Sequence, residues 1–262
     1  MDTANKTPEL VGKMVNFPTV IADDFYPDPY AIRKIATRLE YRKDLKGAFP
    51  GKRTMPLHMV DQALDQFCNI RFLSLYFDVA QNADMQWAIS SYFQLVDPVA
   101  PQDNPLNAGW THVDTNSILA GVVYLDQDAD IASGTNLYRA KADINPAIAD
   151  DDTNARREFY KTGTVLPGYE QALDTHNSKF TESVVVKNYY NRIVAYDAHV
   201  WHRANTHYTG AGPRLTQVFF VNDLKNASST PYDRLKALPS LNDIRRSMQP
   251  KLQLFDGKLK LY

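Results

Sequence analysis

Residues 214–221 read Arg-Leu-Thr-Gln-Val-Phe-Phe-Val, an apolar strand headed by an arginine, and nothing else in the chain restricts its fold as much. Successive side chains on a strand point to opposite faces. Arg214, Thr216, Val218 and Phe220 therefore share one face, and Leu215, Gln217 and Phe219 the other. An arginine projecting inward beside apolar neighbours needs an anionic partner, because an unpaired buried charge is costly. A guanidinium also suits a carboxylate gripped in a two-pronged fork. Four further segments rich in Val, Ile, Tyr and Phe read as strands with Leu215–Val221: Met85–Val96, Ser117–Leu125, Val184–Val186 and Arg192–Tyr196.

Helical periodicity is concentrated ahead of these strands. After a polar arm at residues 1–6 and a short strand around Met14–Ile21, Pro29–Tyr41 reads as a helix capped by Asp28. Its Ile32, Ile35, Ala36 and Leu39 repeat at i, i+3, i+4 and i+7. Val60–Val79 carries a second stripe through Leu64, Phe67, Cys68, Phe72, Leu75 and Tyr76. Such helices would brace one outer face of a barrel. Asp151–Thr175 is polar and reads as helical on both sides of Gly163–Gly168, an insert that would act as a lid or face the substrate. From Ser228 onward, prolines at 231, 239 and 250 separate helical stretches of an arm that would wrap the barrel.

A possible metal site lies between the strands. In Gly109-Trp110-Thr111-His112-Val113-Asp114-Thr115, His112 and Asp114 stand two positions apart, so a strand points both to one face. One short strand could supply two cis ligands, and a third imidazole would complete a 2-His-1-carboxylate triad of the kind that suits non-heme Fe(II). Three histidines downstream compete for the third place. His199, His202 and His207 precede Arg214 by 15, 12 and 7 residues. His202 shares strand parity with Val194 and Tyr196, with His199 as the alternative. His207, in a Thr/Tyr/Gly loop, reads as a solvated histidine, as do His58 and His176.

His112-x-Asp114, then His202, then Arg214-x-Thr216 resembles the iron(II)- and 2-oxoglutarate-dependent dioxygenases, within them the prolyl-4-hydroxylase-like branch. In that family the ligand ends one strand and the arginine starts the next, so the resemblance implies the intermediate spacing of His202. Ala120-Gly121-Val122-Val123-Tyr124-Leu125-Asp126 is similar to that branch's apolar strand after the first ligands. Ser133-Gly134-Thr135-Asn136-Leu137-Tyr138 is similar to the glycine turn and strand that follow. Ile21-Ala22-Asp23-Asp24-Phe25-Tyr26-Pro27-Asp28-Pro29 and Phe49-Pro50-Gly51-Lys52-Arg53-Thr54, near the N-terminus, resemble bacterial and phage members of the group. The resemblance spans roughly residues 20–222.

It implies a mainly β fold with flanking α-helices, closed as a double-stranded β-helix of the jelly-roll, cupin-like type. It implies that His112, Asp114 and His202 bind Fe(II), that O2 and 2-oxoglutarate are co-substrates, and that Arg214 holds the far carboxylate of 2-oxoglutarate. Thr216 and Tyr124 would be hydroxyl partners. The branch's usual tyrosine-proline-glycine element is not clean here, which leaves Gln94 or Tyr92 to complete that site. The implied activity is hydroxylation of an unactivated C–H bond on an amino acid, a peptide side chain or a similar small metabolite. Trp110, Asn116, Tyr138, Arg139, Trp201 and Arg203 are candidates for the substrate wall.

The whole chain, 1–262, is expected to be one domain: helical support over about 24–84, a β-helix core over about 85–222 with the insert at about 141–180, and an arm over about 223–262. Its 29 basic and 30 acidic residues give a net charge of −1, which offers no footprint for nucleic acid or an anionic membrane. The single cysteine, Cys68, cannot form an internal disulfide and reads as a small buried side chain. No segment approaches the roughly 18 apolar residues of a membrane span, and residues 1–20 lack a signal-peptide core, so a cytoplasmic protein is expected. The oligomeric state is left open. Two other readings compete: a noncatalytic or sensory jelly roll binding a metal or small acid, and a radical halogenase. Asp114 argues against the halogenase, whose chemistry replaces that carboxylate with Gly or Ala.

Overall fold

Alternation along one long strand sets out the layers. The computed structural model describes residues 16–101, 104–141, 154–210, 212–227, 238–248, 252–255 and 258–261. The chain divides into two compact units, Met1–Ser228 and Ser229–Tyr262. The first begins with β1 (Val20–Ala22), α1 (Pro29–Ala36), β2 (Arg42–Lys43), β3 (Lys52–Arg53), α2 (Leu57–Val60) and α3 (Gln62–Leu73). It continues through β4 (Gln86–Val96), β5 (Leu119–Tyr124), β6 (Thr135–Ala140), α4 (Asn154–Thr162) and α5 (Tyr169–Asn177). It ends with β7 (Phe180–Val184), β8 (Ile193–Asp197), β9 (Trp201–Ala204) and β10 (Arg214–Lys225). The second unit contains α6 (Leu241–Met248) and an antiparallel hairpin of β11 (Leu252–Phe255) and β12 (Lys258–Leu261), where only helices were expected.

Seven strands form one sheet in the order β1-β8-β5-β10-β4-β3-β2, and β7-β6-β9 form a second. A single bridge from His112 to His202 adds the Gly109–Asp114 segment beside β9. Starting at β4 and including that segment, the first, eighth, third and sixth strands share the large sheet. The second, seventh, fourth and fifth share the small one. Chain passing between two antiparallel sheets in this order is a double-stranded β-helix, the jelly-roll form in which two sheets face each other across a pocket.

The two faces of the large sheet bury different cores. Phe93, Leu119, Val123, Ile193, Ala195, Leu215 and Phe219 pack outward against α1 and α3. Phe72 of α3 stacks on Phe219 with ring centroids 4.9 Å apart. Gly121 lies directly under that ring, and a Cβ there would collide with Phe72. Ala120, Tyr124, Val194 and Tyr196 point the other way, with Leu137 of the small sheet.

Both helices are shorter than their periodicity suggested. Asp28 caps α1 as expected, its carboxylate accepting from the Ala31 N–H at 2.9 Å, but the helix ends at Ala36 rather than Tyr41. The expected Val60–Val79 helix is broken at Asp61, which is extended and caps α3 by accepting from the Leu64 N–H at 3.0 Å. Val60 and Phe67 of that stripe are exposed, and α3 ends at Leu73 rather than Val79. The strand expected at Val184–Val186 lies earlier, at Phe180–Val184, because pairing with β6 sets its position. The start of the expected Met14–Ile21 strand and much of the insert, residues 142–153, lie outside the described residues. Among the described residues, no helix is long and apolar enough to cross a membrane.

Candidate metal centre

Backbone pairing brings the three candidate ligands together. The His112 N–H donates to the His202 carbonyl at 3.0 Å, and the His202 N–H returns the bond to His112 at 2.9 Å. Directly opposed residues on paired strands present their side chains on one face, and the two imidazole centroids lie 4.4 Å apart. Asp114, two residues on, is anchored by its N–H to the Ala198 carbonyl at 2.8 Å. Its Oδ2 is 3.4 Å from His202 Nε2 and its Oδ1 3.9 Å from His112 Nε2. One ligand atom from each residue lies within 4.8 Å of the others.

The tautomers follow from the backbone. His112 Nδ1 is 2.8 Å from the Trp110 carbonyl, and His202 Nδ1 is 2.9 Å from the Val200 carbonyl. A carbonyl can only accept, so each Nδ1 carries the proton and each Nε2 offers its lone pair towards Asp114. Burial first, and then the neighbouring His202, hold the His112 pKa well below its ordinary value, which keeps that ring neutral. Burial raises the pKa of Asp114, and His202 opposes it. His199 does not join the cluster: its Nδ1 pairs with Asp197 Oδ1 at 3.0 Å.

The insert holds the strand that carries these ligands. Asn177 of α5 accepts from the Thr111 N–H at 3.0 Å and its hydroxyl at 2.9 Å, and donates to the Gly109 carbonyl at 3.0 Å. His176 Nε2 sits 2.7 Å from the Thr111 carbonyl, and Trp110 Nε1 donates to Tyr169 at 2.8 Å. His176 is therefore a buried brace, not the solvated side chain its polar surroundings in sequence suggested.

A cavity of about 740 Å³ opens over the triad, and Arg214 and Thr216 line it. The Arg214 guanidinium is buried; its Nε donates to the Ser133 carbonyl at 2.8 Å, and its Nη2 is 3.4 Å from Thr135 Oγ1. Burial lowers its pKa, with Tyr124, Asp126 and Tyr196 opposing. No carboxylate among the described residues pairs with it, and Thr216 Oγ1 is buried with no hydrogen-bond partner. Tyr124 comes close to Arg214, whose guanidinium lies 5.5 Å from its ring, but it does not reach the cavity wall. Its hydroxyl accepts from the Thr135 N–H at 2.8 Å and keeps its own proton to give.

Tyr92 and Gln94 both line the cavity. The Gln94 amide is committed at both ends: Oε1 accepts from Arg53 Nε at 2.9 Å, and Nε2 donates to the Pro50 carbonyl at 3.0 Å. Of the residues expected at the substrate wall, Trp110 and Asn116 line the cavity, whereas Tyr138, Arg139, Trp201 and Arg203 do not. Arg203 Nε instead donates to the Tyr138 hydroxyl at 2.8 Å, and Trp201 packs on Phe180.

Two cavity residues escaped the sequence reading. His207 is buried beside Arg214, and desolvation followed by the Arg214 charge pushes its pKa down to about 3, so the expected solvated histidine is wrong. The loop folds inward because its His207 N–H donates to the Asn107 carbonyl at 2.7 Å. Arg53 also opens on the cavity. It lay in a stretch noted for family likeness, but a two-residue strand carries no periodic signal to show which way its side chains face.

A family model matches residues 9–211 of the chain. The chain belongs to DUF6445, a family of unknown function. No curated protein matches this DUF6445 chain in sequence. Among solved structures it is similar to a prolyl-4-hydroxylase from Pseudomonas putida, at 12% identity over 78% of this chain and 92% of that one, with a TM-score of 0.43. It is also similar to HygX from Streptomyces hygroscopicus with nickel and 2-oxoglutarate bound, at 11% identity over 79% and 83%, with a TM-score of 0.45. EvdO2 from Micromonospora carbonacea var. aurantiaca shares 14% identity over 86% and 91%, with a TM-score of 0.46. Likenesses this loose leave the function to be argued from the DUF6445 chain's own residues.

Proposed function

We propose that this DUF6445 protein is an Fe(II)- and 2-oxoglutarate-dependent oxygenase that hydroxylates an unactivated C–H bond of an amino acid, a peptide side chain or a similar small metabolite. One observation carries the reading: two imidazoles fixed as Nδ1–H tautomers and one carboxylate converge through Nε2, Nε2 and a carboxylate oxygen. That donor set, on one face and open on the other, suits Fe(II). The carboxylate lies 3.4 and 3.9 Å from the two Nε2 atoms, close enough for His112, Asp114 and His202 to hold one ion between them.

The residues also fit 2-oxoglutarate. A buried guanidinium without a carboxylate partner and an orphaned Thr216 hydroxyl are what the far carboxylate of a dicarboxylic acid would satisfy. Arg214 and Thr216 would hold that carboxylate, with Tyr124 supporting the guanidinium from behind. Bound Fe(II) and 2-oxoglutarate would supply O2 activation coupled to decarboxylation, leaving succinate. The chain's own part is to hold both Nε2 lone pairs towards one point, keep His112 neutral, seat the dicarboxylate and exclude water around Arg214. The Asp114 carboxylate favours hydroxylation over halogenation.

The test is succinate release in the presence of Fe(II), O2 and 2-oxoglutarate. The wild type should release succinate, and Asp114→Ala should release none. Arg214→Ala should bind iron as before but weaken 2-oxoglutarate by a factor on the order of tens to thousands, a lost charge-assisted fork being worth about 2–5 kcal/mol. Equal 2-oxoglutarate affinity in Arg214→Ala would make the arginine an ordinary structural side chain.

A further inference from the structure

A second guanidinium, that of Arg53, opens on the cavity wall. Strand register sets four side chains in a row across the cavity face of the large sheet: Arg53 on β3, Gln94 on β4, Thr216 on β10 and Tyr124 on β5. Neighbouring strands lie about 4.8 Å apart, so the backbone of Arg53 stands roughly 10 Å from that of Thr216. Arg53 and Arg214 thus offer two separate anion positions on one wall.

The surroundings of Arg53 hold its charge in place without neutralising it. Its guanidinium carbon lies 3.9 Å from the centroid of the Phe49 ring, 5.0 Å from Phe220 and 5.5 Å from Tyr92. Nε is fixed by the bond to Gln94, whose amide is tied in turn to Pro50. The Nη edge has no hydrogen-bond or ion-pair partner among the described residues, and Arg53 lines the open cavity. Three aromatic faces steady a cation and shed water from it, but they supply no anion. Burial pulls the Arg53 pKa down to about 10, against the attraction of Asp114, Tyr92 and Asp44, so the group stays charged at neutral pH.

Arg53 and Arg214 line the cavity from one sheet, with Asp114 the one acidic residue among its described lining. Gly47, in the loop leading to Phe49, packs so close to the Arg157 carbonyl of α4 that a Cβ would not fit, so this loop and the insert enclose the cavity together.

We propose that Arg53 is a specificity-determining residue that seats an oxyanion of the primary substrate, which is therefore an acid, carrying a carboxylate or a phosphate away from the carbon to be oxidised. The free Nη edge, held in plane by Gln94 and the rings, matches the two oxygens of either group. This deepens the oxygenase reading and rests on it only in giving Arg214 to the co-substrate.

Matched probes test the proposal. N-acetylalanine against its amide forms the carboxylate arm, and glycerol 3-phosphate against glycerol forms the phosphate arm. Each is titrated by calorimetry into protein loaded with Mn(II) and saturated with 2-oxoglutarate. At least one acid should bind about tenfold or more tightly than its neutral counterpart, and the arm that responds identifies the anion. Arg53→Gln should erase that preference and Arg53→Lys should keep part of it, while 2-oxoglutarate affinity stays within a small factor of wild type. No preference for either acid, or a preference that survives in Arg53→Gln, overturns the proposal. So does a loss of 2-oxoglutarate affinity in Arg53→Gln as large as the loss of probe binding. If the wild type fails to bind 2-oxoglutarate, the oxygenase reading falls. The same acid-against-neutral comparison without 2-oxoglutarate then still decides the role of Arg53.

Discussion

Among the histidines of this chain, His207 makes the most readily measured demand on pH. In the folded protein its ring stays neutral down to about pH 3, whereas the unfolded chain takes up a proton near its ordinary value of 6.5. Between those values the unfolded state binds more protons, so His207 removes stability as pH falls below 6.5 and has no effect above it. The slope from one such group approaches about 1.4 kcal/mol per pH unit at its steepest. Urea unfolding at pH 7.5 and pH 5.5 should show the wild type losing about 1 kcal/mol more than His207→Gln over that interval. Parallel losses would mean that His207 takes up a proton in the folded state. Nothing local to the Thr/Tyr/Gly loop could have shown this, because its burial depends on a distant backbone bond to Asn107. By contrast, spacing alone set the parity of His112 with Asp114, while the preference for His202 over His199 leaned on the family resemblance.

Elements assemble that triad, and α5 is the least expected of them. Asn177 satisfies the Thr111 N–H and hydroxyl at once, and Thr111 is fully buried. Asn177→Ala would leave that N–H without a partner, at a cost of about 1–3 kcal/mol. The Gly109–Asp114 segment should also loosen, so the variant should show both a lower unfolding midpoint in urea and weaker iron binding. A loss of stability with unchanged iron affinity would mean that α5 props the fold without aligning His112. Apolar periodicity found the long strands, whose Val, Ile, Tyr and Phe repeat over many positions, while α4 and α5 read as helical from a polar stretch broken at Gly163–Gly168. It overran α3, where the side chain of one residue, Asp61, starts a new helix inside a continuous apolar stripe. It could not orient β3, whose two residues show no period and take their facing from pairing with β4 and β2.

On the scale of the molecule, the jelly roll brings distant parts of the chain to one cavity. His112 and Asp114 come from the second strand of the β-helix, His202 from the seventh and Arg214 from the eighth. The arginine-headed strand and the His-x-Asp pair were visible in sequence because each is local. Their meeting depends on sheet order, and the Arg53 side of the cavity depends on β3 pairing beside β4. We propose that one Fe(II) and one 2-oxoglutarate sit together in this cavity, with His112, Asp114 and His202 holding the iron. The direct test is an anaerobic titration of 2-oxoglutarate into the Fe(II)-loaded protein, following the metal-to-ligand charge-transfer band in the visible. The band should saturate at one 2-oxoglutarate per chain, persist in His199→Ala and be absent in His202→Ala. Iron bound without any such band, or a band retained in His202→Ala and lost in His199→Ala, would overturn this assignment.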